Sequence, residues 1–160
     1  MREYVHALVL SDTHGNAEAV KRVLDACPQA GYVFHLGDHV SDVRLIHENS
    51  RAHVVNVKGN CDPGEAVSEF EEVVIKGQKI ILTHGHLLKV KFSYDRAFYY
   101  AQEHEAKAIL FGHTHRQYCE YIDGIWMVNP GSAGESPGGE AEYATLLIGD
   151  MGIVPKLKKI

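Results

Sequence analysis

Five short apolar runs along this chain each stop at a residue that can bind a metal ion. The runs are rich in aliphatic and β-branched residues, which favours buried strands, and Gly, Asp, Asn or His follows each one. In chain order the segments are VLSDTHG (9–15), HLGD (35–38), VKGNCD (57–62), IILTHGH (80–86) and LFGHTH (110–115). Because open α/β sheets bind ligands at the carboxyl ends of their strands, we expect the five endings to meet at one edge of the fold.

The first half of the chain has the pattern of parallel βαβ units. Residues 5–10 predict a strand, and a helix follows because apolar residues return at helical spacing at 20, 23, 24 and 27. Asn16 can cap the start of this helix and Pro28 ends it. Further elements are predicted near 32–36 (strand), from about 41 to 48 (helix) and over 53–57 (strand). Strands that alternate with helices in this way predict parallel pairing.

From residue 69 onward the pattern changes. Segments 69–75 and 79–82 predict a hairpin that turns at 76–78, and the next helix has Tyr94, Ala97, Phe98 and Ala101 on one face. The remaining predicted strands are 108–111, 117–122, 125–128, 143–148 and a weak one at 153–157. Turns rich in Gly, Asp and Pro between them predict a mainly antiparallel second half. Two packed sheets with helices outside would accommodate both halves.

Length and charge restrict the class of protein. A chain of 160 residues is the usual size of one domain, so we expect a single domain over residues 1–160. The formal net charge of −5 is spread over the sequence, which gives no reason to expect binding to long nucleic acid or to an anionic membrane. The sequence has no apolar run of membrane-spanning length and no signal-peptide pattern, which favours a cytoplasmic protein. Its three cysteines form no CxxC pair, which argues against a structural zinc site.

Two of the five endings place candidate ligands two residues apart. In an extended segment such residues face the same side, so Asp12 with His14, and His113 with His115, can each direct two ligands into one cavity. Carboxylate, carboxamide and imidazole groups together suit divalent Mn, Fe, Ni, Co or Zn. The sequence therefore indicates a site for transition metals rather than for one particular ion.

Each ending also has an ordinary structural explanation. A turn before a helix explains Asp12 and His14, and tolerance of a left-handed backbone explains Asn60. A polar strand end explains His84 and His86. These explanations are independent of one another, so their joint occurrence at the ends of five separate runs is less expected than one shared cause.

The order of the motifs resembles the signature of the calcineurin-like metallophosphoesterases. That order is Asp-x-His, Gly-Asp, Gly-Asn-x-Asp, His and Gly-His-x-His, and it spans residues 12–115. The compact length, GNCD and THGH resemble more specifically the small single-domain YfcE-like phosphodiesterases. The later NPGS at residues 129–132 also fits that family.

This resemblance implies an α/β fold, a four-layer α/β/β/α sandwich of two mixed sheets flanked by helices. It also implies a dinuclear enzyme that hydrolyses phosphate diesters through a metal-bridging hydroxide. Manganese or nickel are the favoured ions, with zinc, iron or cobalt as alternatives. The implied ligands are Asp12, His14 and His115 for one ion, Asn60, His84 and His113 for the other, and Asp38 as the bridge.

The chain departs from the wider superfamily at two places. The superfamily usually has His after the Gly-Asn pair, where it can protonate the leaving group, and here Cys61 stands there. A thiol is a poor acid near neutral pH, so Cys61 predicts a preference for diesters with good leaving groups, although it is equally explained as a small residue beside the site. Relatives often carry Pro-Arg shortly after NPGS, whereas this chain has AGESPGGEAEY without an arginine. That difference bears on substrate binding and not on the metal ligands.

Other histidines carry weaker signals. His86 follows the expected ligand His84 by two residues, so it either faces the same cavity in support of the ligands or is structural. His39, next to Asp38, is interpreted as a loop residue. The histidines interpreted as structural or solvated are His6, His35, His47, His53 and His104.

Two classes of function remain open from the sequence. The first is an enzyme acting on a small phosphodiester. The second is a catalytically weak, metal-binding interaction scaffold resembling the retromer subunit, which shares the expected fold. All seven ligand positions are filled, which favours the enzyme. The aromatic residues in the segment 94–100 serve either contacts between copies of the chain or core packing, the more frequent outcome.

Overall fold

The computed structural model describes residues 3–62, 66–136 and 138–160. Its helices are α1 (Ala17–Ala26), α2 (Val43–Asn49) and α3 (Asp95–Glu103), with single 3₁₀ turns at Val40–Asp42 and His86–Leu88. Its strands are β1 (Val5–Leu10), β2 (Tyr32–His35), β3 (His53–Asn56), β4 (Phe70–Ile75), β5 (Gln78–Thr83), β6 (Ala108–Leu110), β7 (Tyr118–Ile122), β8 (Ile125–Asn129), β9 (Glu142–Gly149) and β10 (Gly152–Lys159). In the described part of the chain no helix is both long and apolar enough to cross a membrane.

The strands form two mixed five-stranded sheets. The first sheet has the order β10-β9-β1-β2-β3, with β1, β2 and β3 parallel and with β9 antiparallel to both β1 and β10. The second has the order β4-β5-β6-β8-β7, with antiparallel pairs at its two edges. The parallel βαβ pattern predicted for the first half is confirmed.

Most strand pairs of the second half are antiparallel, as expected, but the pairs at the centre of the second sheet are not. Strands β5, β6 and β8 run parallel to one another. Helix α3 lies on the crossover from β5 to β6, and a crossover is the connection that parallel strands require. The hairpin of β7 and β8 then places β7 at the edge, which returns β8 beside β6 in the parallel direction.

Alternating side chains place the core in three layers. In β1, Ala7 and Val9 point between the two sheets, whereas Leu8 and Leu10 point to the layer that contains Val20 of α1. On the far side of the second sheet, Ala97 and Ala101 of α3 pack with side chains of β5, β6 and β8. The four-layer α/β/β/α sandwich is therefore confirmed.

The start and end of α1 follow the local sequence. The side-chain oxygen of Asn16 accepts the backbone N–H of Ala19 at 3.1 Å, which caps the helix as predicted. The helix ends at Ala26, two residues before Pro28. Its start therefore lies directly after the Asp12 to Asn16 loop, so the cap also fixes the exit of that loop.

Candidate metal centre

The five strand endings singled out in the sequence meet at one edge of the two sheets. Most of the candidate ligands there adopt a left-handed backbone. The five with positive φ are Asp12 (53°), His14 (47°), Asp38 (55°), His113 (72°) and His115 (59°). Non-glycine residues rarely adopt this conformation, and strained backbone of this kind clusters at functional sites. The loops thus hold side chains in positions that regular strands would not provide.

One group of donor atoms comprises Asp12, His14, Asp38 and His115, whose ligand atoms all lie within 4.8 Å of one another. His115 Nε2 lies 3.1 Å from Asp12 Oδ1. His14 Nε2 lies 3.8 Å from Asp12 Oδ1 and 3.9 Å from Asp38 Oδ2, too far for hydrogen bonds. Among the described residues, this buried nitrogen has no hydrogen-bond partner. A nitrogen left unpaired between two carboxylates fits a cation bound between them.

A second group comprises Asp38, His84 and His113. His84 Nε2 lies 3.3 Å from Asp38 Oδ2 and 3.1 Å from His113 Nδ1. Donor atoms that bind one ion at about 2 Å lie roughly 3 Å apart, so these spacings also fit a shared ion. Asp38 belongs to both groups, the arrangement expected of a bridging carboxylate. Together the donor sets fit divalent metal ions.

Asn60 and Cys61 lie in the loop after β3, and both side chains are exposed. The backbone N–H of Cys61 donates to Asp38 Oδ1 at 2.9 Å, which brings this loop against the shared carboxylate. Gly59 precedes them because any Cβ there would overlap the Asp38 carboxylate. Partial desolvation by the surrounding loop, and then the nearby Asp38 charge, raise the pKa of the Cys61 thiol, so it is neutral at physiological pH.

The two carboxylates are ionised despite their burial. Burial alone would raise the pKa of Asp12, but the imidazoles of His115 and His14 outweigh burial and hold it well below the ordinary value. Burial also opposes ionisation of Asp38, and His84 outweighs it, so this pKa is lowered as well. Two ionised carboxylates in a buried setting create a site that attracts cations.

Nearby carboxylates raise the pKa of three of the four candidate histidine ligands. The Asp12 carboxylate raises the pKa of both His14 and His115. Burial lowers the pKa of His84, but Asp38 and Asp12 outweigh it, so that pKa is raised. Metal ions bind the deprotonated nitrogens, so ion binding at these three histidines releases protons.

His113 behaves differently from the other three. Burial first, and then the charges of His84 and Lys91, lower the pKa of His113 to about 4. This ring is therefore neutral and able to accept a metal ion at neutral pH.

One supporting residue, Asp62, was missed by the sequence interpretation. The buried carboxylate of Asp62 accepts the backbone N–H groups of Asp38 (2.9 Å), His39 (2.8 Å), Val40 (2.9 Å) and Gly59 (2.8 Å). It therefore holds the loop that carries the shared ligand. The only sequence signal was the final Asp of Gly-Asn-x-Asp, which had no assigned role.

His35, which the sequence leaves as structural or solvated, is structural. It is fully buried, and its Nδ1 accepts the N–H of Gly37 at 3.3 Å. Its Nε2 therefore carries the proton in the neutral ring and donates to Thr13 Oγ1 at 2.9 Å. The ring links the Asp12 loop to the Asp38 loop, and burial lowers its pKa to about 4.

The NPGS segment also supports the ligand loops. The side-chain amide of Asn129 donates to the Gly112 carbonyl at 3.1 Å and to Thr114 Oγ1 at 2.9 Å. Ser132 Oγ donates to the Asp12 carbonyl at 2.8 Å. These three bonds hold the loops that carry candidate ligands.

Other side chains of interest lie around the donor groups. The His86 ring lies 5.5 Å from that of His84, and its buried Nδ1 has no hydrogen-bond partner among the described residues. His86 thus faces the site without contacting a ligand by a hydrogen bond. His39 lies in the loop between β2 and the 3₁₀ turn, as interpreted from the sequence, and is exposed. In the stretch that lacks the arginine of relatives, Glu135 Oε2 lies 3.9 Å from His14 Nε2.

Comparison with known proteins agrees with the resemblance drawn from the order of the motifs. The sequence profile of the calcineurin-like phosphoesterase superfamily domain matches residues 5–151. The probable metallophosphoesterase YsnB of Bacillus subtilis is 33% identical over 80% of this chain and 75% of its own length. The phosphodiesterase YfcE of Escherichia coli K12 is 29% identical over 85% of this chain and 84% of its own length.

Solved structures share the fold over the whole chain. A predicted phosphoesterase from Streptococcus pneumoniae superposes with a TM-score of 0.78 at 29% identity and covers 100% of both chains. Vps29 from Entamoeba histolytica, solved with zinc, has a TM-score of 0.71 at 21% identity and covers 97% of this chain and 99% of its own. At that identity the Vps29 likeness shows the fold alone.

The fold, the donor set and the relatives together define a metal-dependent phosphoesterase. The chain belongs to the calcineurin-like phosphoesterase superfamily, and within it to the YfcE-like phosphodiesterases. The resemblance drawn from motif order is thereby confirmed.

Proposed function

We propose that this protein is a dinuclear phosphodiesterase that hydrolyses small phosphate diesters. The observation that carries the proposal is the position of Asp38, whose carboxylate belongs to both donor groups. In this assignment Asp38 bridges two ions, favoured as manganese or nickel over zinc, iron or cobalt. The remaining ligands are Asp12, His14 and His115 for one ion, and Asn60, His84 and His113 for the other.

The residues of the chain prepare the site for an anionic ester. Two divalent ions would lower the pKa of a water molecule between them and draw the phosphoryl oxygens into line for attack. With both ions bound, their charge would exceed that of the Asp12 and Asp38 carboxylates, and the centre would present net positive charge to the substrate. Asp62 and His35 keep the loops of these carboxylates in place. Positioning of this kind is needed because small displacements of reacting groups are costly in rate.

Cys61 stands where a general acid would protonate the leaving group. Its thiol has a raised pKa and is a weak acid, so we propose that the enzyme prefers diesters whose leaving group departs without protonation. Bis-p-nitrophenyl phosphate should therefore turn over at least about tenfold faster than a simple alkyl phosphomonoester. Faster turnover of the monoester would contradict this preference.

The test is hydrolysis of bis-p-nitrophenyl phosphate by metal-stripped protein with Mn, Ni, Zn or Mg added separately. Asp38→Asn removes the bridging charge and keeps the shape of the side chain. Asp150→Asn, at an exposed turn, is the matched control. We expect a transition metal to restore activity in the wild type and the control but not in Asp38→Asn, where the rate should fall at least about a hundredfold.

Binding of two ions without hydrolysis would instead favour the scaffold resembling the retromer subunit. Seven filled ligand positions and phosphodiesterase relatives favour the enzyme. We further propose a single domain over residues 1–160, a cytoplasmic location, and no membrane or long nucleic acid as partner. Contacts between copies through the aromatic segment 94–100 stay a prediction. Tyr94 of that segment packs on Phe111, whereas Tyr99 is 62% exposed.

A further inference from the structure

A cavity of about 510 Å³ opens beside the candidate metal centre. Its lining includes Lys91, Phe92, Tyr94, Thr114 and Arg116. Thr114 lies in the chain between the candidate ligands His113 and His115, so the cavity borders the loop that carries them. A volume in the range of roughly 300–1,000 Å³ is typical of sites for small molecules.

The charge of the cavity differs from that of the chain. The protein has a formal net charge of −5, yet the described residues that line the cavity include two cations and no acid. The ion pairs that Lys or Arg form in the described residues involve Arg44, Lys76 and Lys159. Lys91 and Arg116 are therefore available to bind an anion.

The loop that carries Arg116 is held in place. Thr114 Oγ1 accepts the backbone N–H of Arg116 at 3.2 Å and the side-chain amide of Asn129 at 2.9 Å. The backbone of Arg116 is thereby fixed next to the candidate ligand His115. Because this backbone is already ordered, the arginine side chain loses less conformational freedom when its guanidinium binds an anion.

The aromatic lining offers a stacking surface. Phe92 is 87% exposed, so the face of its ring is free to stack on a ligand in the cavity. The Tyr94 ring beside it is fixed by Phe111 and Tyr118, with ring centroids 5.0 Å and 4.5 Å away. Proteins bind nucleotides by stacking the base on aromatic rings and contacting the phosphate with cations. The cavity offers both, because the fixed Tyr94 ring and the exposed Phe92 ring lie beside its two cations.

We propose that this cavity binds a nucleoside phosphate unit of the substrate, which makes short nucleotide diesters the substrate class. The inference rests on the proposed function, because the scissile phosphate would lie at the donor groups around Asp38. The base stacks on Phe92, and a second phosphate lies between Lys91 and Arg116.

The experiment compares the dinucleotide TpT with its 5′-phosphorylated form pTpT, using manganese-loaded protein. We expect kcat/KM to be about tenfold higher for pTpT, since it carries the second phosphate. The double variant Lys91→Gln/Arg116→Gln should remove that preference. Phe92→Leu should raise KM for both dinucleotides at least about fivefold with little change in kcat. The matched controls Lys156→Gln and Tyr121→Leu are exposed, lie outside the cavity and should behave as wild type.

Two further measurements separate this inference from the proposed function. Hydrolysis of bis-p-nitrophenyl phosphate together with equal kcat/KM for TpT and pTpT would overturn the cavity assignment and leave the phosphodiesterase intact. If no diester is hydrolysed, calorimetric titration with thymidine 3′,5′-bisphosphate tests whether the cavity binds a nucleoside phosphate. Binding weakened at least about fivefold by Phe92→Leu supports it, and binding that is absent or unaffected overturns it.

Discussion

His84 Nδ1 donates to the backbone carbonyl of Leu36 at 2.8 Å. His84 follows β5 of the second sheet and Leu36 follows β2 of the first, so this bond ties the two sheets together at the site. Because a carbonyl can only accept, the neutral ring carries its proton on Nδ1. The lone pair of Nε2 then faces Asp38 at 3.3 Å. Metal-ligating histidines are commonly held this way by their other nitrogen, so the backbone selects the tautomer that an ion requires.

The carboxylate of Asp62 should contribute both to stability and to metal affinity. Asp62→Asn removes the charge and replaces one acceptor oxygen by a donor that faces N–H groups, so we expect about 2–4 kcal/mol of destabilisation in urea unfolding of metal-free protein. Metal affinity should fall roughly 10–100-fold, because the loop of Asp38 loses its support. Asp150→Asn is the control. Unchanged stability and affinity would show that the four N–H groups find other acceptors.

If each donor group binds one ion, a variant that removes a ligand from one group should lose only that ion. His115→Ala removes a ligand of one group and His113→Ala a ligand of the other, so each variant should bind one ion where the wild type binds two. Asp38→Asn should weaken both ions. The measurement is equilibrium dialysis against manganese followed by elemental analysis, with the exposed His47→Ala as control. Two ions retained in His113→Ala would remove that residue from the ligand set.

The buried His35 predicts a pH dependence of stability. Its pKa is lowered from 6.5 to about 4 in the folded protein, so below pH 6.5 the unfolded chain takes up a proton that the native state does not. Stability from this group is therefore present above pH 6.5 and is lost as the pH falls towards 4. Between pH 7 and pH 5 the loss should be about 2 kcal/mol.

The comparison with His35→Gln isolates this effect. The variant lacks the titrating ring, so the free energy of unfolding should fall less between pH 7 and pH 5 than in the wild type. Urea unfolding of metal-free protein at the two pH values measures the difference, and the exposed His53→Gln serves as control. Parallel pH profiles for wild type and His35→Gln would show that the buried ring titrates near its ordinary pKa.

Local sequence patterns predicted most of the regular structure. The helical spacing of apolar residues after Asn16 and the stop at Pro28 gave α1, and Lys76 and Gly77 marked the turn between β4 and β5. These features depend on neighbours a few residues away, so no knowledge of the folded chain is needed. Motif order pointed to side chains that lie close together, because six of the seven candidate ligands form the two donor groups, and their role as metal ligands stays a prediction.

Only the tertiary structure decided how distant parts of the chain support one another. Periodicity does not say which strands pair, so the parallel centre of the second sheet and the return of β9 beside β1 were not predicted. The bonds of Asp62 to residues 22–24 positions away, and of His35 to Thr13, exist only once the loops meet. The cavity likewise needs residues 90–94 and Arg116 to be brought together. The sequence by itself therefore determined the elements and the chemistry at their ends, and long-range packing determined how those ends are held and what lies beside them.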